Sequence, residues 1–514
     1  KTTNSAVIKK FAIQHEHLFN HKLSYQASSG KINVFPTKLP GRSRIFHPLH
    51  ATRQIIQEKS LKATPFRYDS SIHQDNFGTG GFLILWRGEH VEGYSEQLRQ
   101  LELCSSLSTE SNYPNLFPVT FNDALDNQNE DDLHTQENNS KLLQYCRNEK
   151  SVVPTDYGST VTSHPTMNAP LLKAATERCS LIRASYEIIS EGQTFEDLGC
   201  KAANENILSD MFKGGRNEGV SWCIRTRKYD LDANNGFPRS TEKKMLAAMG
   251  PLLNLFEGPV DLKDPDIKFF VFGGLKDRGF LLVKELAKGP QTSTFDPNTR
   301  ICITNTPLHP ISSFVLCNVA KIGDFCNVLD PFAGSCSTLL AAARIAKNST
   351  TVGIDIAFHK DIECNDVLAD FTKRGLSTHT KPIMIGGGSF SKETRDEARG
   401  AIGGCGFDVI VTDPPYGERE GFDMTNGPPL IQLLAAMSED RRAGTPLLKV
   451  GGRLVAFIPD QKKGLGFEAD EMNLEKGMPS ECQINDAGLE LSLVCEQPLN
   501  SSFSRWLALF TCVK

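Results

Sequence analysis

Asp413-Pro414-Pro415-Tyr416 directly follows the apolar run Asp408-Val409-Ile410-Val411-Thr412. These residues therefore stand where a buried strand gives way to a loop, and open α/β sheets place their chemistry at such carboxyl ends. Each proline fixes its own φ and restricts the residue before it, so the loop is stiff. It presents a carboxylate, bare backbone carbonyls and an aromatic ring in one array. A planar base with an exocyclic amine suits that array: its ring stacks on Tyr416, and its N–H hydrogens go to Asp413 and the Pro414 carbonyl. A plain structural turn also produces such a string, but its position after the fourth expected strand favours chemistry.

A second stretch with chemical content is Val328-Leu-Asp-Pro-Phe-Ala-Gly-Ser-Cys-Ser-Thr-Leu-Leu340. The spacing predicts a strand ending at Asp330, a tight turn, and a helix beginning near Ser335. Gly334 permits close backbone approach, and a helix start offers free N–H groups. Asp330 is suited to accept from the ammonium of a zwitterionic ligand. The acidic residue closing Val352-Gly-Ile-Asp355 stands about 25 residues further on, where a ribose diol is commonly held. Either segment alone reads equally well as structure. Together they match a nucleoside-bearing cofactor.

The elements that must position these residues follow an alternating rhythm from Ile301 onward. Strands are expected at Asn327–Asp330, Thr351–Asp355, Pro382–Ile385, Asp408–Thr412, Arg453–Ile458, Leu489–Cys495 and Trp506–Cys512. Helices fit between the first five, and the last two read as an antiparallel pair. This predicts an α/β, doubly wound, Rossmann-like seven-stranded domain over 301–514. Upstream, 76–300 reads as an α+β region. It has a strand at Gly81–Trp86, helices near 94–106 and at Glu196–Ile207, and a half-buried strand at Ser221–Arg225. A further helix is expected at Ser240–Phe256, capped by Ser240 or Thr241, followed by a hairpin of Phe269–Phe272 and Phe280–Val283. Cys179–Ile189 is expected to join a strand to a turn. Residues 107–168, with the acidic run 126–132, read as a solvated low-complexity insertion.

The bulk numbers set limits. At 514 residues the chain has room for two or three domains. Its net charge of −5 does not announce a nucleic-acid binder, but the charge is uneven: residues 1–67 carry eight Lys and four Arg against Glu16 and Glu58. The segment 1–75 reads as a disordered arm or a targeting segment. No apolar run is long enough for a membrane span, and no membrane role is expected. The 14 cysteines include no Cys-x-x-Cys pair, so no metal site is expected and the thiols read as reduced, in the cytoplasm or in an organelle reached through the basic arm.

The paired segments DPFAGSCS and DPPY resemble S-adenosylmethionine-dependent amino-methyltransferases. Residues 301–514 resemble the tRNA guanine-10 N2-methyltransferases more specifically, through Thr306-Pro-Leu-His-Pro310 with Asn318, through TDPPYGERE, and through Val494-Cys-Glu-Gln-Pro-Leu followed by Ser504-Arg505. LIRASYEIISEGQTFEDL and VDLKDPDIKFFVF resemble that family's RNA-binding THUMP domain, and GGFLILWRGEHVEGYSEQLRQLEL its amino-terminal module. The resemblance implies cofactor binding by Thr306, Asp330, Phe332, Gly334 and Asp355. It implies catalysis by Asp413, Pro414, Pro415 and Tyr416, with S-adenosyl-L-methionine as methyl donor. It also implies a tRNA substrate and a small zinc-containing activating subunit. Two departures stand out. Cys336 occupies the usual second glycine of the cofactor turn, where it either crowds the methionine portion or packs beneath it. The third strand ends in Ile385-Gly-Gly-Gly-Ser389, where an acid usually meets the adenine.

Strands five to seven and their helices take up nearly all of the 101 residues after Asp413, so substrate selection is expected from the upstream region. Lys173, Arg178, Arg183, Arg225, Arg227 and Lys228 are its candidate phosphate contacts; such contacts position RNA rather than read it. Two alternatives stay open: a ribosomal-RNA guanine or adenine amino-methyltransferase, and a noncatalytic RNA-binding protein that keeps the fold.

Overall fold

The computed structural model describes residues 81–87, 96–111, 143–146, 158–161, 168–204, 219–228, 237–256, 258–275, 279–304, 306–376, 382–416, 427–461, 474–499 and 503–514. The basic arm 1–75, the acidic run 126–132 and Gly417–Glu420 lie outside these residues.

The upstream region is built on β1 (Phe82–Trp86), β2 (Leu143–Cys146), β3 (Gly158–Val161), β4 (Ile182–Gly192), β5 (Trp222–Lys228), β6 (Ile267–Leu275) and β7 (Gly279–Lys288). They form one seven-stranded sheet in the order β2-β3-β1-β4-β7-β6-β5. Its pairs are antiparallel except β5 with β6. Helices α1 (Glu96–Glu110), α2 (Ala169–Arg178), α3 (Phe195–Asn204), α4 (Arg239–Ala248) and the short α5 (Gly250–Leu253) accompany it.

Three expectations change here. The segment 107–168 supplies β2 and β3, which extend the sheet through β3–β1 pairing from Phe82↔Val161 to Leu85↔Gly158. Strands of four residues leave too little alternation to read; the ladder partner defines them. Cys179 to Leu181 is the turn, and the strand follows it, running to Gly192. Neither Ser240 nor Thr241 caps α4: Pro238 does, its carbonyl accepting from the N–H of Thr241 and Glu242 at 2.8 and 3.0 Å. That helix stops at Ala248, because Pro251 has no N–H to continue the ladder and its ring opposes the preceding turn.

The downstream sheet comprises β8 (Asn327–Asp330), β9 (Thr350–Asp355), β10 (Ile383–Gly386), β11 (Phe407–Thr412), β12 (Leu448–Gln461), β13 (Leu489–Pro498) and β14 (Phe503–Cys512). Their order is β10-β9-β8-β11-β12-β14-β13. The first five are parallel, and β14 runs antiparallel to both its neighbours. Helices α6 (Pro310–Val319), α7 (Ser337–Ile345), α8 (Cys364–Lys373), α9 (Lys392–Ala401) and α10 (Pro429–Arg442) serve the parallel part, and two short helices, α11 (Leu474–Gly477) and α12 (Glu481–Asp486), precede β13. The strands are apolar on both faces. In β11, Val409 and Val411 join a cluster with Phe314 of α6 and Leu339 of α7, while Ile410 joins Leu430, Leu433 and Leu434 of α10. That double burial is what a parallel sheet between helix layers requires. β12 begins five residues earlier than expected, since Gly451, at φ +79°, sits in a register shift against β11 rather than breaking the strand.

α1 and α2 pack on α6: Leu98, Leu101 and Leu172 share a core with Phe314 and Val315. A buried polar cluster crosses the same contact. Glu102, fully buried, accepts from Ser180 N and Oγ (2.8 Å each), Leu181 N (2.9 Å) and Asn318 Nδ2 (2.7 Å). Burial raises the Glu102 carboxyl above its ordinary value, and these hydrogen bonds oppose the rise without cancelling it.

Candidate active site

β8 and β11 are neighbours in the sheet although β9 and β10 separate them in sequence. The strand order reverses between them, and it is at such a switch point, outside the carboxyl ends of the strands, that open α/β sheets form a ligand crevice. Asp330 ends β8 and Asp413 follows β11, so both sequence-predicted loops border that crevice.

Asp330 is 2% exposed. Its carboxylate accepts from the Phe332 N–H at 3.0 Å, from Thr412 Oγ1 at 2.9 Å and from Thr338 Oγ1. Burial pushes this carboxyl up from 3.8 to about 7; the three hydrogen bonds oppose the rise without cancelling it. Asp330 thus ties β8, α7 and the last residue of β11 together, and any ammonium it holds must compete with Thr338 and Thr412. Asp355 supports the turn from the next strand. Its Oδ2 accepts from the Gly334 N–H at 2.8 Å and its Oδ1 from the Ala357 N–H at 2.9 Å. Gly334 lies at φ +49°, and a Cβ there would meet nothing nearer than Thr304, at 4.0 Å. The space over that glycine is open, as close approach by a ligand requires. Thr304, and not Thr306, is the threonine against Gly334. Phe332 is half-buried and tilts against Phe390 with ring centroids 5.7 Å apart.

Cys336 takes the left-handed conformation, φ 62° and ψ 34°, at the start of α7. Its side chain is fully buried within the apolar cluster of α6 and α7, so it packs beneath the turn rather than into the crevice. Burial raises its thiol well above the ordinary value. At the end of β10, Gly387 N–H donates to the Asp355 carbonyl at 3.1 Å. Ile356, next to Asp355, is 64% exposed, and a Cβ added at Gly388 would meet its side chain at 4.0 Å. The exposed Ile356 side chain and the glycines after β10 stand where the acid was expected. Arg300, absent from the sequence reading, underpins the turn: its guanidinium binds Asp370 (3.0 Å), Ser337 Oγ (3.0 Å) and the Ser335 carbonyl.

In the Asp413 loop, Pro414 is buried and Pro415 and Tyr416 are half-buried. Tyr416 hydroxyl donates to Asp413 Oδ1, and Arg505 Nη1 lies 3.6 Å from Asp413 Oδ2. Burial, then the Asp413 charge, push the Tyr416 phenol well above its ordinary value, so it stays a donor. The ring faces Phe503 at 6.1 Å. Arg505 was not among the expected site residues; it arrives from β14, 92 residues along the chain from Asp413.

The expected phosphate contacts divide. Lys173 and Arg225 are exposed, Arg225 donating to the Leu262 carbonyl at 2.9 Å; Arg183 and Arg227 are half-buried, Arg227 lying 5.0 Å over the Phe270 ring. The Lys228 side chain lies outside the described residues. Arg178 requires correction. It is 6% exposed, and its guanidinium donates to Asn318 Oδ1 (3.0 Å), Glu110 (2.6 Å) and the Ile322 carbonyl (2.5 Å). A guanidinium so enclosed joins α2 to α6 and cannot reach a phosphate. Among the described residues no cluster of His, Cys, Asp and Glu could hold a metal, and no helix is long and apolar enough to cross a membrane.

No family model matches the chain. It is 29% identical over 333 residues to a tRNA (guanine(10)-N(2))-methyltransferase of Dictyostelium discoideum, an alignment covering 56% of this chain and 62% of that protein. It is 22% identical over 307 residues to the tRNA (guanine(10)-N(2))-methyltransferase of Saccharomyces cerevisiae, covering 56% and 64%. The chain spans less than two thirds of the length of either relative. Among solved structures, TrmN from Thermus thermophilus aligns over 70% of this chain and 90% of that one at 17% identity; its TM-score of 0.33 is too low to carry an argument.

Proposed function

We propose that this chain transfers a methyl group from S-adenosylmethionine to the exocyclic N2 amine of a guanosine in tRNA, with guanosine 10 as the target. The observation that carries this reading is the convergence of the Asp413-Pro-Pro-Tyr416 loop and the Asp330–Gly334 turn on one crevice, physically joined by the Thr412–Asp330 hydrogen bond. Similarity to two tRNA (guanine(10)-N(2))-methyltransferases supports the substrate. The residues present fit the cofactor: open space over Gly334, an acid at the ribose position, and exposed Ile356 beside the glycines after β10. Asp330, Phe332, Gly334 and Asp355 would hold it, with Thr304 and Thr306 at its edge. When bound, it supplies an electrophilic methyl group on a sulfonium.

The protein's part is alignment and fixed dipoles. A guanine amine is a poor nucleophile because its lone pair is delocalised into the ring. Asp413 and the Pro414 carbonyl accept its two N–H hydrogens, which favours a pyramidal nitrogen and aims the lone pair into the crevice. The base must leave its stack to reach this depth, and Tyr416 gives it a ring to rest on. For the amine to reach Asp413 Oδ1, the Tyr416 hydroxyl must yield that oxygen. Substrate choice falls to the upstream sheet, which we read as a THUMP-type RNA-binding region with Lys173, Arg183, Arg225 and Arg227 positioning the RNA. A small zinc-containing subunit belongs to the same reading through the family resemblance alone. The burial of Cys336 weighs against a noncatalytic RNA-binding protein, because that substitution leaves the crevice clear.

Incubating the chain with labelled S-adenosylmethionine and total RNA, with and without such a subunit, tests the proposal. Label in the tRNA fraction is expected; label confined to ribosomal RNA would replace tRNA with the ribosomal substrate.

A further inference from the structure

We propose that Arg505 is a positioning residue that holds the Asp413 carboxylate in register for the incoming amine; this rests on the methyl-transfer reading above. Arg505 is 6% exposed, and four elements fix its guanidinium. Nε donates to Gln497 Oε1 of β13 at 2.7 Å, and Nη2 to Ser312 Oγ of α6 at 2.6 Å. The face of the group lies 3.9 Å over the Phe457 ring of β12. Its own strand, β14, supplies the backbone. Gln497 is 1% exposed and Ser312 is fully buried, so the fork is locked on two sides. Nη1 faces Asp413 Oδ2 at 3.6 Å.

The consequence for Asp413 is an asymmetry between its two oxygens. Oδ2 faces a buried cation that cannot move without breaking two hydrogen bonds and a ring contact. Oδ1 is bonded to the Tyr416 hydroxyl, a neutral donor on the same short loop that Arg505 also engages. When a base displaces that hydroxyl, Oδ1 becomes the amine's acceptor while Oδ2 stays anchored. Without Arg505, departure of the Tyr416 hydroxyl leaves Oδ2 without the buried cation it faces. A planar, always-charged fork suits this task better than a point charge, because two of its arms fix the direction of the third.

The distinguishing measurement is a comparison of wild type, Arg505→Met, Arg505→Lys and Ser312→Ala. For each, kcat and KM with tRNA, S-adenosylmethionine affinity and thermal unfolding are determined. Misplacing a reacting group by about 1 Å costs roughly 100-fold, so Arg505→Met should lose kcat on that order while KM and cofactor affinity move less than about threefold. Arg505→Lys should recover at least about tenfold of the loss, although it forfeits fork geometry and unfolds no later than Arg505→Met. Ser312→Ala keeps the Arg505 charge and removes the hydroxyl that accepts from its Nη2, so it tests the positioning even where an Arg505 variant does not fold; its kcat should fall several-fold. Equal kcat in the Lys and Met variants, a loss carried by KM or cofactor affinity, or unchanged kcat in Ser312→Ala overturns the positioning role. Wild type that transfers no methyl group to any RNA overturns the functional reading, and this inference with it.

Discussion

Replacing Cys336 by glycine restores the residue usual in such turns and isolates what the sulfur does. Three terms decide its effect on stability. A residue with a Cβ in the left-handed region costs about 1–2 kcal/mol, which glycine relieves. Glycine gives back roughly 0.5–1 kcal/mol through the greater freedom of the unfolded chain. Deleting a fully buried Cβ and Sγ forfeits about 1–2 kcal/mol of transfer and cavity energy. The sum centres on a destabilisation of about 0.75 kcal/mol, between limits of about 0.5 kcal/mol stabilising and about 2 kcal/mol destabilising, so the central expectation is a fall of roughly 1.5–3 °C in a domain of this size. Cofactor affinity should stay within about threefold, because the sulfur lies in the apolar cluster under α7 and not over Gly334. Thermal unfolding and calorimetric titration with S-adenosylmethionine, on wild type and Cys336→Gly, supply both numbers. Tenfold tighter binding in the variant would refute this reasoning, since it would mean that the sulfur obstructs the ligand.

Three further outcomes are expected. Thr412→Val removes the 2.9 Å hydrogen bond to Asp330 that joins the two loops; about 1.5–3 kcal/mol of stability should go with it, and denaturant unfolding measures the loss. Asn318→Leu strips partners from Glu102 and Arg178 at once; a loss of about 3–5 kcal/mol is expected, and an unfolding curve as stable as wild type would contradict the structural role assigned to Arg178. Asp330 makes stability depend on pH. Because burial raises its folded value from 3.8 to about 7, its contribution is most favourable below pH 4 and is lost as pH rises to 7. The span amounts to something on the order of 4 kcal/mol. Relative to Asp330→Asn, wild type should therefore lose stability across that window and level off above it; a pH-independent difference would exclude the raised value.

Much of the downstream fold was readable because its strands are short apolar runs punctuated by Gly, Pro and Asp. The first, Asn327–Asp330, is found with the boundaries expected, and the other six differ at their ends. The site loops were readable for a related reason: Asp330, Gly334, Asp355 and Asp413 stand where strands end, and periodicity locates strand ends. Their supports were not. Thr412 meets Asp330 from 82 residues away, Arg505 meets Ser312 from 193, and Arg300 meets Asp370 from 70. No local pattern announces such pairings, because the sheet order brings the partners together. The same blindness misassigned Arg178. A basic residue in an amphipathic helix reads as solvated, and only the packing of α2 on α6, through Asn318 140 residues on, shows it enclosed. The short strands β2 and β3 escaped notice for lack of length: β3 is specified by its pairing with β1, and the edge strand β2 by its pairing with β3.

The proposed reaction turns on one amine, and one substrate pair tests it. Two tRNA transcripts that differ only in carrying guanosine or inosine at position 10 differ by the N2 amine alone. With labelled S-adenosylmethionine, wild type should methylate the guanosine transcript and leave the inosine transcript unlabelled. Asp413→Ala should transfer nothing to either while binding the cofactor with nearly unchanged affinity. Equal labelling of both transcripts, or wild-type turnover by Asp413→Ala, would contradict the account.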